Sequence, residues 1–132
     1  MKSKVVILGI DYGLSRIGLA LADNALVQPL GVIQRSPRLV RQLQAICQKN
    51  NIERIIIGLP EGKIATEVKK FAHQLKLAVN LQIDFQDESL TTQEAFSKMI
   101  MLGKKRKARQ KKQDSFAAAL ILQAYLERKK YV

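Results

Sequence analysis

The chain has 132 residues, 47% of them hydrophobic, which suits one domain with a real core and excludes a disordered chain. Against 11 Asp and Glu stand 23 Lys and Arg, a net charge of +12, and a field of that size points to a polyanionic partner. The single cysteine, Cys47, excludes an intramolecular disulfide, and the single histidine, His73, has no partner for a zinc site.

Residues 5–10 form a dense β-branched run, the pattern of a buried central strand, broken by Asp11-Tyr12-Gly13. Ile17 to Ala22 resumes extended structure. Asp23-Asn24 is a turn, and residues 25–34 read as a third strand with Pro29 at an edge or bulge. Three strands with short connections make an antiparallel meander. Ser36-Pro37 then opens a helix, with Leu39, Val40, Leu43, Ile46 and Cys47 on one face and Asn50-Asn51 as its stop. Cys47 in that stripe reads as a buried thiol rather than a nucleophile. Residues 55–58 are a short buried strand. Val68, Phe71, Ala72 and Leu75 mark a second amphipathic helix, with His73 on its solvated side. Residues 81–85 alternate as a fifth strand. Thr91-x-x-Glu94 has capping-box spacing and opens a third helix to about Leu102, stopped by Gly103. A basic run over 104–112 follows as a connection, and residues 115–129 form a final helix with an apolar middle. The order is βββαβαβαα: an α/β domain over residues 1–132, with a mixed five-stranded sheet and helices on both faces.

No stretch reaches the length of a membrane span. Lys2 and Lys4 ahead of residues 5–8 imitate a signal peptide, but Asp11 and Arg16 interrupt the apolar run. The mature protein is therefore expected to start at residue 1 and to be cytoplasmic.

Three acids stand at element ends. Asp11 follows a strand apolar enough to be central, and open α/β sheets bind ligands beyond the carboxyl ends of their strands. An Asp that hydrogen-bonds its own turn is an equally good reading of this residue alone. Glu88, with Asp87, ends the fifth strand; charge placed near a helix N-terminus accounts for it as well. Asp114 stands at the expected start of the last helix, where it also reads as a cap. Together the three suit Mg²⁺ or Mn²⁺, hard cations that take oxygen ligands. Two such ions about 3.5–4 Å apart activate water and stabilise the departing oxygen of a phosphodiester.

The basic run comprises Lys104, Lys105, Arg106, Lys107, Arg109, Lys111 and Lys112. Such runs are usually solvated loops, but this one adjoins Asp114, where cations would hold a polyanion over the acids. It contains no aromatic residue for base stacking, which favours recognition of shape over sequence.

These residues carry a resemblance that runs nearly end to end. Gly9-Ile10-Asp11-Tyr12-Gly13 with Arg16-Ile17-Gly18-Leu19-Ala20 begins it. Ile57-Gly58-Leu59-Pro60 and Asp87-Glu88-Ser89-Leu90-Thr91-Thr92 continue it, and Asp114-Ser115-x-Ala117-Ala118 with Ile121-Leu122-Gln123-x-Tyr125-Leu126 completes it. The chain resembles the YqgF-like bacterial proteins, described both as Holliday-junction resolvases and as nucleases that trim the 5′ end of precursor 16S ribosomal RNA. The resemblance implies a ribonuclease H-like fold and a divalent-metal nuclease. By motif, Asp11, Glu88 and Asp114 would be its catalytic, metal-binding acids, with Arg16 and the 104–112 cations facing phosphates. Two departures bear on the substrate: a short link, Glu61-Gly62-Lys63, where the family has a longer loop, and Ser89 where it has Arg.

The expected substrate is structured RNA or branched DNA. Trimming ribosomal RNA suits a monomer; symmetric resolution of a four-way junction favours a homodimer. A non-catalytic ribosome-assembly factor fits the charge equally well, although unneutralised acids would repel one another and the nucleic acid. Ile10-Asp11-x-Gly13 followed by Gly18 also resembles the phosphate hairpin of actin- and sugar-kinase-like ATPases. Those bind nucleotide between two such domains, whereas this chain has one.

Overall fold

The computed structural model describes residues 5–24, 26–87 and 106–129, with the side chains of residues 106–114 left out. Five strands, β1 (Val6–Tyr12), β2 (Arg16–Asp23), β3 (Leu26–Gln34), β4 (Arg54–Leu59) and β5 (Gln82–Asp87), form one sheet in the order β3-β2-β1-β4-β5. The meander β1–β2–β3 is antiparallel, and β4 and β5 join β1 in parallel. Among the described residues, three helices flank it: α1 (Leu39–Asn50), α2 (Ile64–Val79) and α3 (Arg106–Arg128).

Strand alternation divides the core in two. Leu8, Ile10, Tyr12, Ile17, Leu19, Ile55 and Ile57 face α1 and α2, where they pack with Leu39, Leu43, Val68, Phe71 and Leu75. Ile7, Ala20, Ala22 and Ile56 face α3 and meet Ala118, Ile121, Leu122 and Tyr125. Gly9, Ala20, Ala22 and Ala118 are the small residues on the α3 side, and helix and sheet approach closely at Gly9. A Cβ at Gly9 would stand 3.1 Å from both the Ala118 carbonyl oxygen and the Leu122 Cβ. Glycine at position 9 therefore lets the middle of α3 sit close over β1, where a side chain would have to push its neighbours back by a few tenths of an ångström.

Pro29 lies on the edge strand β3 beside an irregularity: Leu19 pairs with Gly31 and Ala20 with Pro29, so Leu30 is the extra residue. Ser36 and Pro37 lie in the turn ahead of α1 rather than opening the helix: Ser36 Oγ accepts from the Arg38 N–H at 3.1 Å, and α1 starts at Leu39 with Arg38 as its N-cap residue and no side-chain cap. Asn51 and Asn80, both at positive φ, end α1 and α2. The Glu61–Lys63 link leads straight into α2, as its shortness in sequence implies.

Two further expectations are corrected. Strand β1 does not break at Asp11. It runs on through Asp11 and Tyr12, which pair with Gly18 and Ile17, and the turn begins only at Gly13. The last helix does not start at Ser115. Among the described residues it already runs from Arg106, so Arg106, Lys107, Arg109, Lys111 and Lys112 are part of the helix and Asp114 lies inside it rather than at its start. The physical reason is propensity: Lys, Arg, Gln and Ala are strong helix formers, and no Gly or Pro separates Arg106 from the apolar segment. The third helix expected over 91–102, with Glu88, Lys104 and Lys105, lies outside the described residues.

Among the described residues, no helix is long and apolar enough to cross a membrane.

Candidate active site

Asp11 is set by two features of its strand. It is the penultimate residue of β1, the central strand, so it stands at the carboxyl rim of the parallel half of the sheet. By alternation it shares the α3 face with Ile7 and Gly9. Both neighbours in the sheet are glycines. Gly18 is its antiparallel partner, and Gly58 follows the parallel pair Ile10–Ile57 on the other side. Gly58 in turn pairs with Gln86 of β5. Neither of these two strand neighbours carries a side chain beside Asp11, which is itself partly accessible.

The β1–β2 turn is fixed beside it. The Gly13 N–H donates to the Arg16 carbonyl at 3.0 Å, and a Cβ at Gly13 would fall 2.5 Å from that oxygen. Only glycine closes this turn, which returns the chain through Arg16, the first residue of β2, at the same rim as Asp11. Of the sequence-derived site residues, Asp11 and Arg16 are thus brought to one end of the sheet. Glu88 directly follows Asp87, the last residue of β5, and lies outside the described residues. Asp114 lies in α3 one helical turn before Ala118, the residue in contact with Gly9. Among the described residues no three acid, His or Cys side chains form a metal cluster.

At the opposite end of α3 lies a polar network that the motifs do not announce. The Tyr125 hydroxyl donates to Asp84 Oδ2 at 2.8 Å and accepts from Arg54 Nη1 at 3.0 Å, while the Arg128 Nε donates to Gln86 Oε1 at 2.9 Å. Burial pushes the Asp84 carboxyl up, but hydrogen bonds from Tyr125 and Gln82 and the charges of Arg54 and Lys129 outweigh it and hold the group below its ordinary range. Burial, then the bond to Asp84, raises the Tyr125 hydroxyl. The signal was present in sequence: Gln82, Asp84 and Gln86 alternate with Ile83 and Phe85, so the helix-facing side of β5 is polar and needs polar partners.

His73 is exposed on α2 and Cys47 is buried, with its thiol pushed up to about 11 by burial, so neither offers a competing nucleophilic centre.

A family model described as RuvX, Holliday junction resolvase, matches residues 5–128. The chain belongs to the Holliday junction resolvase family. Its relatives carry a second description. A Clostridium kluyveri protein named "Putative pre-16S rRNA nuclease" is 38% identical over 132 residues, covering 92% of this chain and 96% of that one. One of the same name from Syntrophomonas wolfei is 35% identical over 131 residues, covering 92% and 93%. Among solved structures, the fowlpox virus Holliday junction resolvase superposes with a TM-score of 0.61 at 11% identity, covering 95% of this chain and 99% of that one. The Thermus thermophilus RuvC bound to a Holliday junction substrate gives 0.57 at 15% identity, covering 96% and 97%. At these identities the likeness is one of fold, and it agrees with the ribonuclease H-like architecture that the element order implies.

Proposed function

We propose that this member of the family is a divalent-metal-dependent nuclease that hydrolyses phosphodiester bonds of structured nucleic acid and processes the 5′ end of precursor 16S ribosomal RNA in the cytoplasm. The observation that carries the reading is the setting of Asp11: a carboxylate at the carboxyl rim of the central strand, between Gly18 and Gly58. The donor chemistry fits the metal. Carboxylate oxygens are the ligands Mg²⁺ and Mn²⁺ prefer, and the two glycines leave room for an ion that keeps several waters. Asp11, Glu88 and Asp114 would hold it, and when bound it would supply a water of lowered pKa and neutralise charge on the scissile phosphate. The placement of position 114 one helical turn before Ala118, in a helix seated on β1 at Gly9, supports its part in the set. Arg16 at the rim and the cations of Lys104–Lys112 orient the backbone by its phosphates. Those in α3 do so from a helix rather than from a loop, which sets their spacing.

A second reading within the same chemistry is resolution of four-way DNA junctions, as a homodimer with one site per strand. The family description and the fold shared with the fowlpox virus resolvase favour it. The ribosomal reading draws on the names of the relatives that are 35–38% identical. Competition decides between them: a labelled precursor 16S fragment and a labelled four-way junction are offered together with Mg²⁺ or Mn²⁺. Preferential cutting of the RNA is the expected result, and symmetric cutting of the junction alone would move the assignment to resolution.

A further inference from the structure

Asp11 faces α3, but the next residue, Tyr12, points to the opposite side of the same rim, where it floors a second cleft. This cleft holds about 250 Å³ and is lined by Tyr12, Arg35, Glu67, Lys70, Phe71 and Gln74. Its construction is specific. The Tyr12 and Phe71 rings lie 4.4 Å apart, and the Arg35 guanidinium is stacked over Tyr12 at 5.1 Å from the ring centre. Arg35 Nη1 donates to the Leu14 carbonyl of the β1–β2 turn at 3.3 Å, so one edge of the guanidinium is tied to the turn that precedes Arg16. Its Nη2 reaches Glu67 at 3.5 Å, a long contact between exposed groups. Lys70, on the next turn of α2, forms no ion pair among the described residues.

We propose that this cleft is a phosphate subsite for the nucleic acid strand that passes over the rim from Asp11. In it, Arg35 and Lys70 take a backbone phosphate and Glu67 is the internal competitor that the phosphate displaces. The inference rests on the nuclease reading for the position of the strand. The chemistry is a matter of strengths. A guanidinium stacked on an aromatic ring is pre-oriented, and the fork it presents matches a phosphate better than a single carboxylate oxygen at 3.5 Å. An exposed ion pair of that length contributes little on its own, so exchange for a phosphate flanked by Lys70 is favourable. Adjacent strand residues point to opposite faces and their Cα atoms are about 3.8 Å apart, so one strand of nucleic acid bending over the rim reaches both Asp11 and this cleft.

The test is binding without cleavage. Full-length protein is titrated with a labelled precursor 16S fragment and a four-way junction in EDTA over a range of salt. Arg35→Gln and Lys70→Gln are each expected to weaken binding severalfold and to lower the salt slope by about one unit. Glu67→Gln is expected to tighten it. The reference is Lys49→Gln, which removes the same charge from the last turn of α1, away from this rim. If Arg35→Gln and Lys70→Gln weaken binding no more than Lys49→Gln does, general electrostatics suffice and the subsite is wrong, while the nuclease reading stands. If the wild-type protein binds neither probe at low salt, both fail together. Lys70 is exposed and takes no part in the ring stack, so its variant reports on the cleft even if Arg35→Gln disturbs the turn.

Discussion

The Tyr125 hydroxyl donates to Asp84 at 2.8 Å, and this bond ties the C-terminal part of α3 to the edge strand β5. Arg54, from the neighbouring strand, donates to the same hydroxyl, so one buried tyrosine closes a bridge between two strands and a helix. Tyr125→Phe keeps the ring packing and removes only the bridge. It is expected to lower stability by about 1–2 kcal/mol in denaturant unfolding at neutral pH.

The same bridge sets a pH dependence. The Asp84 carboxyl is held below its ordinary value in the folded protein, so its contribution to stability is complete above that ordinary value and is lost as pH falls through the folded one. Tyr125 runs the other way: its raised hydroxyl contributes fully below the ordinary tyrosine range and loses that contribution as pH rises past it. Unfolding measured from pH 7 down to pH 3 is therefore expected to show a smaller acid loss in Tyr125→Phe than in wild type.

Gly9→Val tests how α3 is seated. The added Cβ would press on the Ala118 carbonyl and on Leu122, neither of which is the free end of a flexible chain. A loss of about 1–3 kcal/mol in denaturant unfolding is expected. A neutral result would mean that α3 lies farther from β1 than described.

Cys47 is expected to be inert. Burial pushes its thiol up to about 11, and it packs between α1 and the sheet. Thiol reagents at pH 8 should label it only in denaturant. Rapid labelling of the native protein would contradict the packing of α1.

The fold was legible in the sequence wherever local chemistry and tertiary packing agreed. Val68, Phe71, Ala72 and Leu75 mark the buried stripe of α2, and Asn51 ends α1 where it was expected to. The start of α3 was not legible. Asp114 has the chemistry of a cap, yet the cations before it are good helix formers and the helix runs through them. For Asp11, a turn residue and a strand residue were indistinguishable until the pairing with Gly18 was known. The three acids are proposed from motif and position. The Arg54–Tyr125–Asp84 bridge joins residues up to 71 positions apart and no local pattern marks it, apart from the polar alternation along β5. Arg35 was missed for the same reason: its partners Tyr12, Leu14 and Glu67 belong to other elements.

The basic run is testable apart from the cleft. Replacing Lys104, Lys105 and Arg106 by Gln is expected to weaken nucleic-acid binding across sequences and to lower the salt slope by about three units. An unchanged slope would make the run a solvated charge cluster.

The most direct measurement is the cleavage rate of Asp11→Asn against wild type, on the precursor RNA fragment and the junction, with Mg²⁺, Mn²⁺ or EDTA. The substitution keeps the shape of the side chain and removes the charge a metal needs. Wild-type cleavage that disappears in EDTA, with Asp11→Asn folded and binding as before yet losing cleavage, is the predicted result. Cleavage unaffected by Asp11→Asn would contradict the proposed site. Tight binding by wild type with no cleavage under any metal would make the protein a non-catalytic assembly factor.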